Sequence, residues 1–122
     1  MTRTNKFAAA IGIVVGVATG AFAVHASTEP TPQIIKINAS KFHFDPDHII
    51  LHKGQPVTLQ LTSLDATHGF MIRALKIDTD IKPGKITEVT VTPEATGNYT
   101  AICDHYCGLG HGMMKLKVNV EP

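Results

Sequence analysis

The sequence predicts an all-β domain, an antiparallel sandwich or barrel of short strands behind an apolar leader. Three observations carry that reading. From about residue 33 the apolar residues recur at every second position rather than at the helical period. Turn signals cut the chain at short intervals, and no window after residue 33 holds a substantial amphipathic helix. At 122 residues the chain offers one core, since domains commonly run to about 100–150 residues.

The chain opens with MTRTNKFAAAIGIVVGVATGAFAVHAS, a short basic start (Arg3, Lys6) followed by 18 apolar and small residues from Phe7 to Val24. Val24-His25-Ala26 puts small residues where a signal peptidase reads them, so residues 1–26 are expected to be an export signal. The run also reaches the short end of the roughly 17–25 residues that span a bilayer, and the alternative is an uncleaved membrane anchor through residues 7–24. Either way the remainder is expected in the periplasm or on the outer face of a bacterial inner membrane, an oxidising compartment. Residues 27–32, with Pro30 and Pro32, read as a stiff linker. The domain is expected over residues 33–122.

With Arg3 and Lys6 set aside, nine basic residues face ten acidic ones, without a basic stripe and without tryptophan. That balance argues against nucleic acid as a partner, which would favour a clustered basic face.

Within the domain, PVTLQLTS alternates Val57, Leu59 and Leu61 with polar neighbours. KITEVTVTP sets Ile86, Val89 and Val91 among threonines, and MKLKVNV alternates Leu116, Val118 and Val120 with Lys115, Lys117 and Asn119. These are half-buried strands, one face in the core and one in water. Asp45-Pro46-Asp47, Lys53 to Pro56, Lys82 to Lys85 and Glu94 to Gly97 supply the turns. His43, His48 and His52 fall in or beside an early strand and read as surface residues.

Between the strands GNYTAI and MKLKVNV lies CDHYCGLGHGMM, residues 103–114, which gathers both cysteines, two histidines and two methionines. Cys103 and Cys107 offer thiolates, His111 an imidazole and Met114 a thioether, a soft donor set that suits copper, with zinc or iron–sulfur as competitors. Gly108, Gly110 and Gly112 argue against a helix and allow tight reversals. Met113 is expected on a strand face. A plain disulfide is the commonest use of two exported cysteines, but it leaves His111 and Met114 without a role. Structural zinc sites pair C-x2–4-C with H-x3–5-H, and these histidines form no such pair. A further donor has to come from elsewhere, and His68 in LDATHGFMI is the candidate.

His68, 35 residues before Cys103, followed by C-x3-C-x3-H-x2-M, resembles the dinuclear copper (CuA) motif of cytochrome c oxidase subunit II and of the C-terminal domain of nitrous oxide reductase. Pro83-Gly84-Lys85 and Gly97-Asn98-Tyr99 before Ala101-Ile102-Cys103 are also similar to that family, and the resemblance covers roughly Gln33 to Val120. It implies a cupredoxin-like Greek-key β-sandwich. It implies two copper ions bridged by Cys103 and Cys107, with His68 and His111 each on one ion. Met114 would be a weak axial donor and the backbone carbonyl of His105 the weak ligand opposite it. The implied function is one-electron transfer to or within a terminal oxidase, with a cytochrome c-like donor and an oxidase catalytic subunit as partners and no catalysis by this chain alone. The alternative is a periplasmic copper carrier using the same ligands. Oxidase subunits commonly hold glutamate where this chain has His105, whose imidazole would alternatively serve copper capture. Phe70, Tyr99 and Tyr106 are the candidates for an aromatic electron route.

Overall fold

The computed structural model describes residues 12–13, 15–16 and 20–122; the predicted leader lies for the most part outside them. Among the described residues no helix is long and apolar enough to cross a membrane. The described residues fold as nine strands, β1 Gln33–Ser40, β2 His43–Asp45, β3 His48–His52, β4 Val57–Ser63, β5 His68–Ile72, β6 Ile77–Ile81, β7 Thr87–Val91, β8 Gly97–Ile102 and β9 Lys115–Glu121. They form two sheets, ordered β2-β1-β4-β7 and β3-β9-β8-β5-β6.

Alternation sets the layers. In β4 Val57, Leu59 and Leu61 are buried while Thr58, Gln60 and Thr62 are partly exposed, and in β9 Leu116, Val118 and Val120 face inward between exposed lysines. A slip of one residue would turn each set into water, and each fully buried Leu, Ile or Val is worth about 1.5–3 kcal/mol. That loss, repeated along the strand, fixes the register. Phe44 from one sheet and Phe70 from the other meet edge to face across the core, centroids 5.5 Å apart at 89°. All four expected turns lie between strands, and Gly54 and Gly84 adopt φ of 78° and 76°, backbone that favours glycine.

Two expectations are corrected. The sheets are mixed, because β1 runs parallel to β4 and β3 parallel to β9, while the other paired strands are antiparallel. The chain reaches those parallel partners by crossing between sheets, which local periodicity does not record. Ile86 lies outside β7 and is exposed, whereas Val89 and Val91 pack against the core. Residue 86 stands an odd number of positions from 89 and 91, so it cannot share their face.

Candidate metal centre

The two donor segments meet at one end of the sandwich. His68 is the first residue of β5 and is fully buried. The loop from Cys103 to Met114 joins β8 to β9 and is closed at its neck by the Cys103 N–H, which donates to the Met114 carbonyl at 3.3 Å. Inside the loop His111–Met113 makes one 3₁₀ turn, with the His111 N–H donating to Gly108 O at 3.2 Å and the Met114 N–H to His111 O at 3.1 Å. Met113 therefore stands in a turn, 81% exposed, and not on a strand face. The glycine-rich loop thus holds one 3₁₀ turn and no longer helix.

The sulfurs of Cys103 and Cys107 lie 3.8 Å apart, both buried and both free. A disulfide would need about 2.05 Å, so this is a pair of thiols. Cys103 Sγ lies 3.2 Å from the His105 carbonyl oxygen and accepts the Gly69 N–H at 3.3 Å. Cys107 Sγ lies 3.5 Å from Met114 Sδ. Donor atoms of His68, Cys103 and Cys107 all fall within 4.8 Å of one another, a group that His111 does not join. Nδ1 of His68 and Nδ1 of His111 are both buried without a hydrogen-bond partner. A buried polar atom left so costs free energy unless something satisfies it. Two buried thiols with two buried imidazole nitrogens left without partners are a donor set that a soft cation satisfies.

His105 is divided. Its carbonyl faces Cys103, whereas its imidazole is 44% exposed with Nδ1 3.7 Å from Asp80 Oδ1. Of the three aromatic candidates, Phe70 is buried in the core and Tyr99 is half-buried, its hydroxyl donating to Ala95 O at 3.1 Å. Tyr106 is exposed and meets the His111 ring at 5.4 Å between centroids. Only Tyr106 both touches a candidate ligand and reaches solvent among these three. His43 and His48 are exposed and His52 half-buried.

The electrostatics favour keeping the Cys107 thiol protonated until a cation arrives. Burial, then the hydrogen bond and charge of Cys103, push the Cys107 thiol up to about 11. A bound cation reverses that preference, because thiolate is the form that ligates. Asp104 is raised by burial and by its contact with the Asp78 carboxyl group. Asp65 is opposed by burial, but the Lys41 N–H, the His68 ring and the Ala66 N–H hold it down at about 2.

The sequence reading overlooked Asp65, whose Oδ1 lies 2.6 Å from His68 Nε2, and Phe42, whose ring covers Gly108 and Gly110. An acid three residues before a candidate ligand was a usable signal for the first. Nothing local marked Phe42, which reaches the loop from the turn between β1 and β2.

Residues 10–114 match the family model described as a cupredoxin-like domain. Over 87 residues the chain is 33% identical to cytochrome c oxidase subunit 2 of Thermus thermophilus, a stretch that covers 71% of this chain and 64% of that protein. A second Thermus thermophilus sequence of the same description is covered over 52% of its length. The chain thus spans between about half and two thirds of these relatives. Among solved structures, the periplasmic domain of subunit II of cytochrome oxidase from Bradyrhizobium japonicum superposes with a TM-score of 0.68 at 18% identity, covering 75% of this chain and 86% of that one. At that identity the likeness is one of fold. The metal-binding domain of the Cu(I)-exporting P-type ATPase CopA of Streptococcus pneumoniae D39, solved with Cu(I), superposes with a TM-score of 0.61 at 26% identity, covering 80% and 93%.

Proposed function

The chain belongs to the cupredoxin-like domain family, and from that premise we propose that it binds two copper ions in a dinuclear centre of the CuA type and passes single electrons to or within a terminal oxidase of the cytochrome c oxidase kind. The observation that carries the proposal is the pair of buried thiols 3.8 Å apart beside two imidazole nitrogens without partners. A single-copper blue cupredoxin needs only one cysteine, so the second buried thiol favours a centre of two ions. The distant similarity to cytochrome c oxidase subunit 2 supports the same reading.

In this reading Cys103 and Cys107 would hold the ions through their thiolates, His68 and His111 would each supply one imidazole, and Met114 Sδ and the His105 carbonyl would be the weaker donors. When bound, the copper pair supplies a one-electron couple whose charge is shared with two thiolates. The residues do the rest. Cys103 and Cys107 are almost wholly shielded from water, so little solvent has to reorganise when the charge changes. The Gly69 N–H on Cys103 Sγ stabilises negative charge on that sulfur and so tunes the potential. Tyr106 against His111 is the aromatic contact through which an electron enters from a cytochrome c-like donor. Reduction of the terminal acceptor belongs to the oxidase's catalytic subunit. The proposed setting is the periplasm or the outer face of the inner membrane, a reading supported by the basic start and apolar run within residues 1–26, an export signal or a membrane anchor.

Copper quantitation and electron paramagnetic resonance of the loaded chain test the proposal. The expected result is two coppers per chain and a hyperfine pattern from one electron shared equally by both. One copper per chain, whether a mononuclear Cu(II) signal or silent Cu(I), would overturn it. That outcome favours a periplasmic copper carrier, the reading supported by the likeness to the Cu(I)-binding domain of CopA.

A further inference from the structure

We infer that the turn between β1 and β2 positions both imidazoles of the centre, through Asp65 on one side and Phe42 on the other; the inference rests on the copper reading above. The first arm is polar. The Lys41 N–H donates to Asp65 Oδ2 at 2.8 Å and the Ala66 N–H to Asp65 Oδ1 at 2.7 Å. A carboxylate held by the backbone at both oxygens cannot swing freely, and its Oδ1 meets His68 Nε2 at 2.6 Å. Since an ionised carboxylate only accepts, the contact makes Nε2 the protonated nitrogen and leaves the lone pair on Nδ1. That is the buried nitrogen without a partner, on the histidine grouped with both thiols. Asp65 is thus a positioning residue for His68: it selects the tautomer and the ring orientation that present Nδ1 to the site.

The second arm is apolar. A Cβ at Gly108 would stand 2.8 Å from Phe42 Cε1, and one at Gly110 2.5 Å from Phe42 Cγ. The ring therefore lies directly on both glycines. Gly108 O accepts the His111 N–H and Gly110 O the Met113 N–H, so holding these glycines holds the turn that carries His111. Phe42 remains 39% exposed, a position better suited to clamping a surface loop than to filling the core. Lys41 and Phe42 are neighbours in the chain, so one turn carries both arms.

Imidazole nitrogen resonances of the metal-free full chain test the first arm. His68 should show the Nε2–H tautomer alone. Asp65→Ala should mix the tautomers and weaken copper binding about 10–100-fold, the usual cost of losing such a carboxylate–histidine contact. Asp65→Asn keeps an acceptor but removes the charge, so it should keep the tautomer and raise the reduction potential of the loaded protein. An unchanged tautomer and affinity in Asp65→Ala, or an unchanged potential in Asp65→Asn, would overturn this arm. Phe42→Ala should leave the His68 tautomer alone, speed amide hydrogen exchange over residues 108–113 and weaken copper binding. Unchanged exchange and affinity would overturn the second arm. If the wild-type chain takes up no copper, the proposed function falls, while tautomer and exchange in the metal-free protein still decide the positioning.

Discussion

Gly69 combines two duties at one position. Its N–H donates to Cys103 Sγ, and a Cβ there would stand 2.5 Å from His105 N and 2.8 Å from Asp104 N. Those atoms are backbone and cannot step aside, so Gly69→Ala should push the ligand loop off β5 at a cost of about 1–3 kcal/mol. The expected outcome is a lower thermal midpoint and loss of the shared-electron spectrum, read by calorimetry and electron paramagnetic resonance. Met114→Leu separates structure from chemistry. Met114 is buried and the exchange nearly conserves volume, so stability should fall by less than about 1.5 kcal/mol. Removing the thioether 3.5 Å from Cys107 should nevertheless shift the reduction potential, measured by voltammetry. Cys103→Ser should abolish the dinuclear signal altogether. At this scale the soft donors were legible because cysteine, histidine and methionine so close together have few other uses. Asp65 and Phe42 were not, because an aspartate and a phenylalanine have many.

The elements were legible to the extent that one face of each meets the core. β4 and β9 alternate cleanly, and both were read with the correct inward face. β5 does not alternate: His68, Gly69, Phe70 and Ile72 are all buried, because Asp104 and His105 of the ligand loop cover Gly69 on the face opposite His68 and Phe70. Its period therefore gave no sign of the element that holds the first ligand. The parallel pairing of β1 with β4 and of β3 with β9 joins segments whose partners no local pattern names. Leu59, wholly buried in β4, tests the weight of the inner face. Leu59→Ala should cost about 2–5 kcal/mol through lost burial and the cavity left behind, read as a lower denaturant midpoint with an unchanged slope.

For the whole molecule, the centre depends on distant parts of the chain finding one another. His68 reaches the thiols only once β5 has taken its place beside β8, and Asp65 reaches Lys41 only once β4 has paired with β1. A ligand that binds the folded chain alone stabilises it by mass action, about 2.7 kcal/mol at a hundredfold excess over its dissociation constant. Copper should accordingly raise the thermal midpoint, and the rise should vanish in Cys103→Ser. The hydrogen bond from Cys103 to Met114 has another consequence. It makes the ligand loop a cassette, anchored at both gateposts and answerable to the sandwich chiefly through Phe42 and Gly69. Descent could lengthen, shorten or re-letter that cassette, changing which metal it prefers and how many ions it holds, without rewriting the scaffold beneath it.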